Sequence, residues 1–340
     1  MAKNIVVVTG SRADYGLLEP VLDQLHDKCN LTLVVTGSHL SKQYGETVHD
    51  IKDKYHQILV PGLVDYDEPI GVCQTMGLLI NGLATAIQFA DAIVLLGDRH
   101  EILAAALAAY NFSIPIHHIQ GGDITVGSLD DGYRDCITKL ARHHYVAHEK
   151  AGDRVQWSTG KSTLYHTYVV GSLACVLPDV EPRTDYDFIV AFHPCKDDNL
   201  HEYIAELTEY PNKMLLLGSN ADAGGRQINQ ILKALEDHNP DQFEYVPSME
   251  REVYLSYLAG AKAVIGNSSS GIFEAPMVKT PTINIGTRQR GRLQAGSVFQ
   301  VDRVGDLVTA LEWISGEDFL FDCPYYKPDT VERIVEGILS

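Results

Sequence analysis

Short apolar runs alternate with helical patterns along the whole chain, and this alternation limits the possible folds more than any other feature. The runs are nearly all apolar, as strands buried on both faces of a parallel sheet should be. In the first half they are Ile5–Val8, Leu31–Val35, Ile93–Leu96, Ile114–Ile119 and Tyr145–Ala147. The pattern then restarts with Phe188–Phe192, Met214–Leu217, Phe243–Val246, Val264–Ile265, Thr282–Ile285 and Val298–Val301. The alternation predicts an α/β fold made of two doubly wound, Rossmann-like domains.

The stretch between the two halves, residues 172–187, contains two prolines and alternating acidic residues, which is typical of a linker. We therefore predict an N-terminal Rossmann-like domain over residues 1–171 and a C-terminal Rossmann-like domain over residues 172–328. The last segment, residues 329–340, has a helical pattern that could pack back on the first domain. A chain of 340 residues is long enough for two domains of ordinary size.

Composition and charge argue against several classes of protein. The formal net charge of −18 argues against a nucleic-acid partner, because such proteins concentrate positive charge where they meet the phosphates. The six cysteines include no Cys-x-x-Cys pair and are typical of the reduced, packed thiols of a cytoplasmic protein. The N-terminus lacks the apolar core of a signal peptide. We expect no run that approaches the length of a membrane span, and therefore no membrane partner.

Four histidines come in adjacent pairs, His117-His118 and His143-His144. Neighbouring residues of a strand point to opposite faces of the sheet, so neither pair is well placed to share a metal ion. We interpret these histidines as structural and predict no metal site. No Gly-x-Gly-x-x-Gly segment follows the first strand, which argues against a nicotinamide or flavin, and we expect no cofactor.

Polar segments follow many of the predicted strands at their carboxyl ends, where the ligands of doubly wound sheets bind. In the first half these segments are Gly10-Ser11-Arg12, Gly97-Asp98-Arg99 and Gly121-Gly122-Asp123. In the second half they are His193-Pro194, Gly218-Ser219-Asn220 and Gly266-Asn267-Ser268-Ser269-Ser270-Gly271. We expect two facing sheets to direct them all into one central cleft.

The serine-rich segment of the second half is the most informative of these. It has the pattern of a strand, a turn of glycine and serine, and the start of a helix. Hydroxyls and free N–H groups at a helix N-terminus hold anionic oxygens, and glycines let the backbone approach a ligand. Arg288, Arg290 and Arg292 follow as a basic patch in an acidic chain. The serine turn and the arginines together suggest a diphosphate site.

Two further groups allow both a functional and a structural interpretation. Arg12 lies in a turn between a strand and a helix, where its planar guanidinium would clamp a phosphate, or where it could be a solvated arginine of a capped turn. His193 ends the first strand of the second half. It could donate to a phosphate or exchange a proton with a substrate, and a structural role is nearly as well supported.

Asp98, Asp123 and Asp130 are the candidate catalytic groups, since they follow turns or strand ends in one half of the chain. Acids that converge in a partly dry site differ in how readily they ionise, so that one can serve as base and another as acid. The alternatives are turn-forming aspartates, which are common, and a surface ion pair between Asp98 and Arg99.

A set of short segments keeps a fixed order between residues 9 and 289. In the first half the segments are Thr9–Gly16, Leu96–Glu101, His118–Gly122, Asp130–Arg134 with Ile137–Lys139, and Val170–Leu173. In the second half they are Phe192–Pro194, Gly218–Gly224, Gly266–Gly271 with Glu274, and Ile283–Gln289. Each segment is weak alone, but together they are specific. The set resembles the hydrolysing UDP-N-acetylglucosamine 2-epimerases of sialic-acid and nonulosonate pathways.

The resemblance implies the two-domain GT-B-like fold of many nucleotide-sugar glycosyltransferases, with a nucleotide-binding second domain. It implies conversion of UDP-N-acetylglucosamine and water into N-acetylmannosamine and UDP, by elimination of UDP and re-addition of water. It also suggests a homodimer or homotetramer. Asp98, Asp123 and Asp130 would be the acids and bases. The groups expected to bind the substrate are Gly10, Ser11, Arg12, Arg99, His193, Asn220, Ser268, Ser269, Glu274 and Arg288, with Glu274 on the ribose hydroxyls.

The chain departs from the usual pattern of that family at two positions. The family usually has Gly-Gly-Glu where this chain has Asp123, so the carboxylate is kept but reaches one methylene less far. Asp135 follows Arg134, where the family favours histidine. These departures leave open a related substrate, such as a nucleotide-linked 4-acetamido-4,6-dideoxy hexose. A glycosyltransferase of the same fold and a non-catalytic UDP-sugar-binding homologue are the alternative functions.

Overall fold

The chain forms two compact units in a computed structural model that describes residues 2–64, 68–125, 129–160, 164–195, 200–219, 224–316 and 318–340. The first unit consists of Met1–Asp123, Leu129–Val176 and Tyr325–Ser340, and the second of Ile124–Ser128 and Leu177–Pro324. The sequence was divided after Gly171, whereas the first unit extends to Val176 and takes up the chain again from Tyr325.

Strands and helices alternate along both units. The strands are β1 (Asn4–Thr9), β2 (Asn30–Val35), β3 (His56–Leu59), β4 (Ala92–Leu96), β5 (Ile116–Ile119), β6 (His143–Val146), β7 (His166–Val169), β8 (Phe188–Ala191), β9 (Met214–Leu217), β10 (Phe243–Val246), β11 (Ala263–Gly266), β12 (Thr282–Ile285) and β13 (Val298–Val301). The α-helices are α1 (Arg12–His26), α2 (Pro69–Ile87), α3 (His100–Asn111), α4 (Asp130–Leu140), α5 (Glu149–Ser158), α6 (Leu200–Glu206), α7 (Gly225–His238), α8 (Arg251–Gly260), α9 (Ser270–Phe273), α10 (Leu307–Ile314) and α11 (Thr330–Leu339).

Both sheets are parallel, and each reverses its strand order once. In the described part of the chain, the first sheet has the order β3-β2-β1-β4-β5-β6-β7 and the second the order β10-β9-β8-β11-β12-β13. Doubly wound sheets leave a crevice at the point of reversal, beside the carboxyl ends of the two strands that meet there. These pairs are β1 with β4 and β8 with β11. The predicted fold class, two doubly wound Rossmann-like domains, is confirmed.

Strand β1 shows why the strands are continuous apolar runs. Ile5 and Val7 lie in the cluster with α1 and α11, whereas Val6 and Val8 lie in the cluster with α2, α3 and α4. Successive side chains of a strand alternate between the faces, so a strand covered by helices on both faces must be apolar throughout. In the second sheet, Ile189 likewise points away from its neighbours Phe188 and Val190.

The edge strands β3 and β7 were not predicted from the sequence. Among the described residues, each pairs with a single neighbour, β2 and β6 respectively, and neither has a fully buried face. Their sequences, His-Gln-Ile-Leu and His-Thr-Tyr-Val, therefore lack the apolar run that identifies a central strand.

The expectation that no segment approaches the length of a membrane span is wrong for α2. Its 19 residues include no charged side chain, so by length and composition alone it could cross a bilayer. One face of α2 is nevertheless buried in the first unit, through Gly71, Thr75, Leu79, Leu83 and Ile87. A helix that packs on a sheet in this way satisfies the same criteria of length and composition, which are therefore weak evidence for a span.

The paired histidines point to opposite faces of the first sheet. The ring of His117 stacks on that of His143 with centroids 4.3 Å apart, and His143 stacks on His166 at 5.0 Å. His118 lies on the other face, where its Nε2 donates to the carbonyl oxygen of Gly97 at 2.8 Å. Over the described ranges, no group of three or more histidine, cysteine or acidic side chains is arranged to hold a metal ion.

We expect these buried histidines to make the protein lose stability as the pH falls from about 6.5 to about 4. Burial lowers the pKa of His117 and of His144 to about 3 and that of His118 to about 4. They stay neutral in the folded protein, while the unfolded chain takes up protons below about 6.5. Each histidine therefore lowers the free energy of unfolding by up to about 1.4 kcal/mol per pH unit in that interval.

Urea denaturation at pH 7.5, 6 and 5 measures this loss. His144→Phe should flatten the dependence, because one buried titrating ring is gone. His201→Gln, at an exposed position of α6, is the matched control and should keep the wild-type slope. Equal slopes for His144→Phe and the wild type would contradict the assignment.

Candidate active site

The carboxyl end of β1 carries the first group of candidate residues. Ser11 caps α1, since its side-chain oxygen accepts a hydrogen bond from the backbone N–H of Asp14 at 3.3 Å. The carbonyl oxygen of Gly10 accepts from the backbone N–H of Ser38 at 2.8 Å and from its hydroxyl at 3.1 Å. Arg12 forms an ion pair with Asp50. A phosphate bound at this turn would therefore have to share Arg12 with that carboxylate.

Arg134 is a buried cation that joins Asp98 to the backbone of Asp123. Its Nη2 donates to Oδ2 of Asp98, and its Nη1 donates to the carbonyl oxygen of Asp123 at 2.9 Å and to Oδ1 of Asp131 at 2.7 Å. Burial alone would lower the pKa of Arg134, but the charges of Asp98 and Asp123 raise it, so the side chain stays charged. The planar guanidinium, with its several fixed donors, can hold all three oxygens at once.

Asp123 is buried, with 5% of its surface exposed, and is held by His148. The ring Nδ1 of His148 accepts from the backbone N–H of Ala151 at 3.2 Å, so Nε2 carries the hydrogen and donates it to Oδ1 of Asp123 at 3.0 Å. The two preceding glycines allow this approach. Gly122 has φ 77°, and a Cβ there would lie 2.5 Å from the carbonyl oxygen of Ala151.

The other predicted groups of the first unit have different contacts. Asp130 is the first residue of α4 and partly buried, and it is the next residue, Asp131, that pairs with Arg134. Arg99 binds Glu101, with its Nε 3.3 Å from both carboxylate oxygens. Glu101 is fully buried. Burial would raise the pKa of Glu101, but the neighbouring Arg99 and His100 outweigh it and lower the pKa, so this carboxylate is charged.

Asn267 ties the end of β8 to the end of β11 in the second unit. Its Oδ1 accepts from the backbone N–H of His193 at 2.7 Å, and its Nδ2 donates to the carbonyl oxygen of His193 at 2.8 Å. The carbonyl oxygen of Asn267 in turn accepts from Arg288 at 3.1 Å and from Gln289 at 2.8 Å. One fully buried asparagine therefore positions His193 and Arg288 beside the point where the sheet reverses.

The serine turn differs from the prediction in one respect. Gly266 has φ 138°, and a Cβ there would lie 2.1 Å from the carbonyl oxygen of Ala191, so the position requires glycine. Ser268 and Ser269 follow and are partly buried. The helix after them, α9, has only four residues. A single turn has a small dipole, so the hydroxyls and backbone N–H groups would have to hold an anion.

The remaining predicted group of the turn is paired. Glu274 is 9% exposed, and its Oε1 lies 3.3 Å from Nε of Arg251. This ion pair fixes the carboxylate and leaves its other oxygen to accept further hydrogen bonds. Asn220, predicted to line the cleft, lies outside the described residues.

Sequence reasoning did not identify Arg134, His148 or Asn267 as site residues. Arg134 follows Asp131 by three positions, the helical spacing of an ion pair, and this signal was available. His148 comes just after β6, so the rule that polar groups at strand ends form sites would have found it. Asn267 lies inside the serine turn, where the prediction assigned roles to the serine hydroxyls and none to the amide.

The chain matches proteins of one family over nearly its whole length. The family model described as UDP-N-acetylglucosamine 2-epimerase matches residues 23–339. The chain is 30% identical over 344 residues to the GDP/UDP-N,N'-diacetylbacillosamine 2-epimerase (hydrolyzing) of Campylobacter jejuni, an alignment that covers 93% of this chain and 88% of that protein. It is 33% identical over 367 residues to the polysialic acid biosynthesis protein P7 of Escherichia coli, with 99% and 93% covered.

Solved structures share the fold. The crystal structure of Methanocaldococcus jannaschii UDP-GlcNAc 2-epimerase in complex with UDP-GlcNAc and UDP superposes with a TM-score of 0.79 and 14% identity, and covers 98% of this chain and 99% of that one. At this identity the similarity shows the fold alone.

We expect Arg134→Met to lower the free energy of unfolding by about 3 kcal/mol, because Asp98 and Asp131 then lose their shared counter-ion and the carbonyl oxygen of Asp123 loses a donor. The two carboxylates are 25% and 32% exposed, which places the loss at the lower end of the range for broken buried pairs. Arg134→Lys should lose less, since it keeps the charge but not the three contacts.

Chemical denaturation checks this, with Arg142→Met at an exposed position as the control, expected within about 0.5 kcal/mol of the wild type. A loss for Arg134→Met no larger than that of the control would contradict the role of Arg134.

Proposed function

Because this chain belongs to the UDP-N-acetylglucosamine 2-epimerase family, we propose that it is a hydrolysing nucleotide-sugar 2-epimerase. It would convert UDP-N-acetylglucosamine and water into N-acetylmannosamine and UDP, or act in the same way on a closely related UDP-sugar, in sialic or nonulosonic acid biosynthesis. The observation that carries the proposal is the hydrogen-bonded set in which Arg134 joins Asp98 to the backbone of Asp123. The six cysteines are free thiols, which supports a cytoplasmic site of reaction.

The first step would be the elimination of UDP. The bond between C1 and the diphosphate oxygen breaks, its electron pair leaves with UDP, and a base takes the proton from C2, which yields a glycal-like intermediate. The C2 proton is only weakly acidic, so departure of UDP leads and positive charge develops at C1. Carboxylates can stabilise that charge and accept the proton, and Asp98, Asp123 and Asp130 are the proposed groups.

The second step would be the addition of water. The hydroxyl adds to C1 and a proton to C2, on the face opposite to the one that lost it, which inverts the configuration at C2. The proton removed by one carboxylate and the proton supplied by another balance over the two steps. Two acids in different surroundings suit this exchange: Asp123 is buried and bonded to His148, whereas the Asp98 side chain is 25% exposed and bonded to Arg134.

The second unit would hold the nucleotide. Ser268 and Ser269 would bind the diphosphate with their hydroxyls, and Arg288 and His193 would bind it from the positions fixed by Asn267. Glu274 would accept the ribose hydroxyls. This supply of donors stabilises the negative charge that grows on the leaving diphosphate.

The test of the reaction is incubation with UDP-N-acetylglucosamine in heavy water, followed by proton NMR. We expect UDP and N-acetylmannosamine with deuterium at C2, without added metal or nicotinamide. Asp98→Asn and Asp123→Asn should each lower kcat by about a hundredfold or more, since each removes a group that moves a proton. Asp53→Asn, at an exposed position, should leave the rate unchanged.

Other outcomes would identify other functions. Release of UDP with an unchanged configuration at C2 would refute the epimerase. Product formation only with an added acceptor would identify a glycosyltransferase, and tight binding without turnover a UDP-sugar-binding protein. A panel of UDP- and GDP-sugars, including acetamido-dideoxy hexoses, would identify the sugar. It is warranted because the Campylobacter relative is named for diacetylated bacillosamine.

We also propose a homo-oligomer that forms through the outer faces of α2 and α3. These helices have 19 and 12 residues. Since 21% of the residues of the whole chain are charged, about six charged residues would be expected in the two helices. Glu101 is their one aspartate, glutamate, lysine or arginine, and it is fully buried. Ile70, Leu78 and Tyr110 are more than half exposed on this surface. Apolar surface of this kind is characteristic of an interface.

A second copy of the chain suits this surface better than another partner. Two molecules of net charge −18 repel each other, and they can approach closely only through faces that carry no charge. In a twofold dimer each subunit contributes the same face to the interface, so a face without charge brings no like charges together. Gly77 is exposed on α2, and apart from the backbone of its own helix and its two chain neighbours, no atom of the described residues lies within 4 Å of the position of a Cβ there. This leaves room for close approach of a second helix.

Gly77→Arg should convert the oligomer into a monomer, as measured by light scattering with size-exclusion chromatography. The substitution adds a charge to the proposed interface. It should not unfold the monomer, because space is open there and arginine is about 1 kcal/mol better than glycine in a helix. Val308→Arg, at an exposed apolar position of α10, is the control and should keep the oligomer. An oligomeric Gly77→Arg variant, a monomeric wild type, or wild-type binding to neutral lipid vesicles would contradict this interface.

A further inference from the structure

Asp14 is a partly buried residue of the first unit, and the proposed reaction gives its carboxyl group no role. It lies in the first turn of α1, where its backbone N–H bonds to Ser11. Its Oδ2 is buried and has no hydrogen-bond partner within the part of the chain that the structure describes. A buried carboxylate oxygen without a partner costs free energy, so its presence at a strand end calls for an explanation.

Another carboxyl group, that of the fully buried Glu101, lies against the same strand end. A Cβ placed on Gly10 would be 3.6 Å from Oδ2 of Asp14 and 3.5 Å from Oε1 of Glu101. A Cβ on Gly37 would lie 2.9 Å from the same Glu101 oxygen. The two glycines therefore make room for two acids at the point where β1 and β4 meet. Arg99 supplies the guanidinium of this cluster, with its Nη2 3.2 Å from Oε1 of Glu101.

The charges that face Asp14 come from the segment between β4 and α3 and from the first turn of α3. They are Arg99, which favours its ionised form, and Glu101 and Asp98, which oppose it, while on its own helix Ser11 offers a hydrogen bond. On the side of β2, the ring of His39 is bonded to Thr9 and Thr47. Burial is the largest influence and, with the two acids, raises the pKa of Asp14 to about 6. Glu101 is the permanent anion of the pair, and Asp14 gains or loses its proton near neutral pH.

We propose that Asp14 is a positioning residue for Arg99: its carboxylate adds to that of Glu101 in holding the guanidinium beside Asp98 at the end of β4. Arg99 directly follows Asp98, so a firmly held Arg99 also fixes the backbone that presents Asp98. The inference rests on the proposed function, because it assigns Arg99 and Asp98 to the substrate. It also explains why Asp14 is present in the cluster, because Glu101 alone is enough to neutralise Arg99.

The proposal predicts opposite effects on stability and on substrate binding. The folded-state pKa of about 6 lies above the ordinary value of 3.8, so Asp14 stabilises the fold fully below 3.8, and this contribution is lost as the pH rises through about 6. At pH 8 the ionised carboxylate of Asp14 destabilises the folded state, and Asp14→Asn removes this destabilisation. The same substitution removes the charge that holds Arg99. A residue kept at a cost in stability is characteristic of a functional site.

The experiment compares Asp14→Asn with the wild type and with Asp27→Asn, a control at the exposed end of the same helix. In urea, the denaturation midpoint of Asp14→Asn should exceed that of the wild type at pH 8, and by less at pH 5. The KM for UDP-N-acetylglucosamine at pH 8 should rise about tenfold, the effect of losing one nearby charge, with kcat changed by less than about threefold. Wild-type KM should rise toward the variant's value below pH 6, and the variant's KM should not show that rise.

The possible results separate a structural role of Asp14 from the proposed positioning role. A lower midpoint for Asp14→Asn at pH 8 would show a purely structural role and overturn the proposal. An unchanged KM and an unchanged pH profile would also overturn it, while leaving the epimerase function intact. If the wild type turns nothing over, calorimetric affinity for UDP-N-acetylglucosamine replaces KM in the same comparison. A wild type that neither binds nor converts the nucleotide sugar would overturn the proposed function, and the positioning role with it.

Discussion

The single reversal of strand order in each sheet is the constraint on which the rest of the structure depends. Because β1 pairs with β4 and β8 with β11, the helices that follow these strands leave to opposite sides, and the strand ends between them stay uncovered. Backbone groups that are uncovered there need partners. Ser38 bonds to Gly10 in the first sheet, and Asn267 bonds to both backbone groups of His193 in the second. The polar residues at these ends complete the fold of each unit, and they are also its candidate site residues.

The sequence predicted what depends on local pattern, and it failed where contacts are distant along the chain. The central strands were predicted because apolar runs reveal burial on both faces. Arg134 was missed as a site residue because its acceptors on Asp98 and Asp123 come close to it only when β4, β5 and α4 are packed together; only the acceptor on Asp131 is local. Asn267 was missed because its role depends on the register that sets Gly266 opposite Ala191. Register and packing have no signature in a short window of sequence.

The arginines of the candidate site differ between the two units in the groups that hold them. In an acidic protein, the arginines of the candidate site are held by specific acceptors: Arg134 by Asp98 and Asp131, and Arg288 by a backbone carbonyl. The difference matters, because an arginine neutralised by carboxylates has little charge left for a phosphate. An arginine fixed by a neutral carbonyl keeps its full charge. This difference supports the proposal that the second unit, rather than the first, would hold the diphosphate.

This division follows from the electrostatics of the proposed reaction. The end of the first sheet has more carboxylates than guanidiniums, with Asp14, Asp98, Glu101, Asp123 and Asp131 beside Arg99 and Arg134. An excess of negative charge stabilises a carbon that becomes positive, and it repels a leaving group that is itself negative. A surface with an excess of one charge favours one end of a bond that breaks into a cation and an anion, and disfavours the other. The strand ends of the first unit are acidic, whereas those of the second carry serines and an arginine. The same excess explains why a cluster of acids, of which Glu101 and Asp123 are buried, needs its few cations held in place. An arginine that moved by one hydrogen bond would change which carboxylate can take a proton.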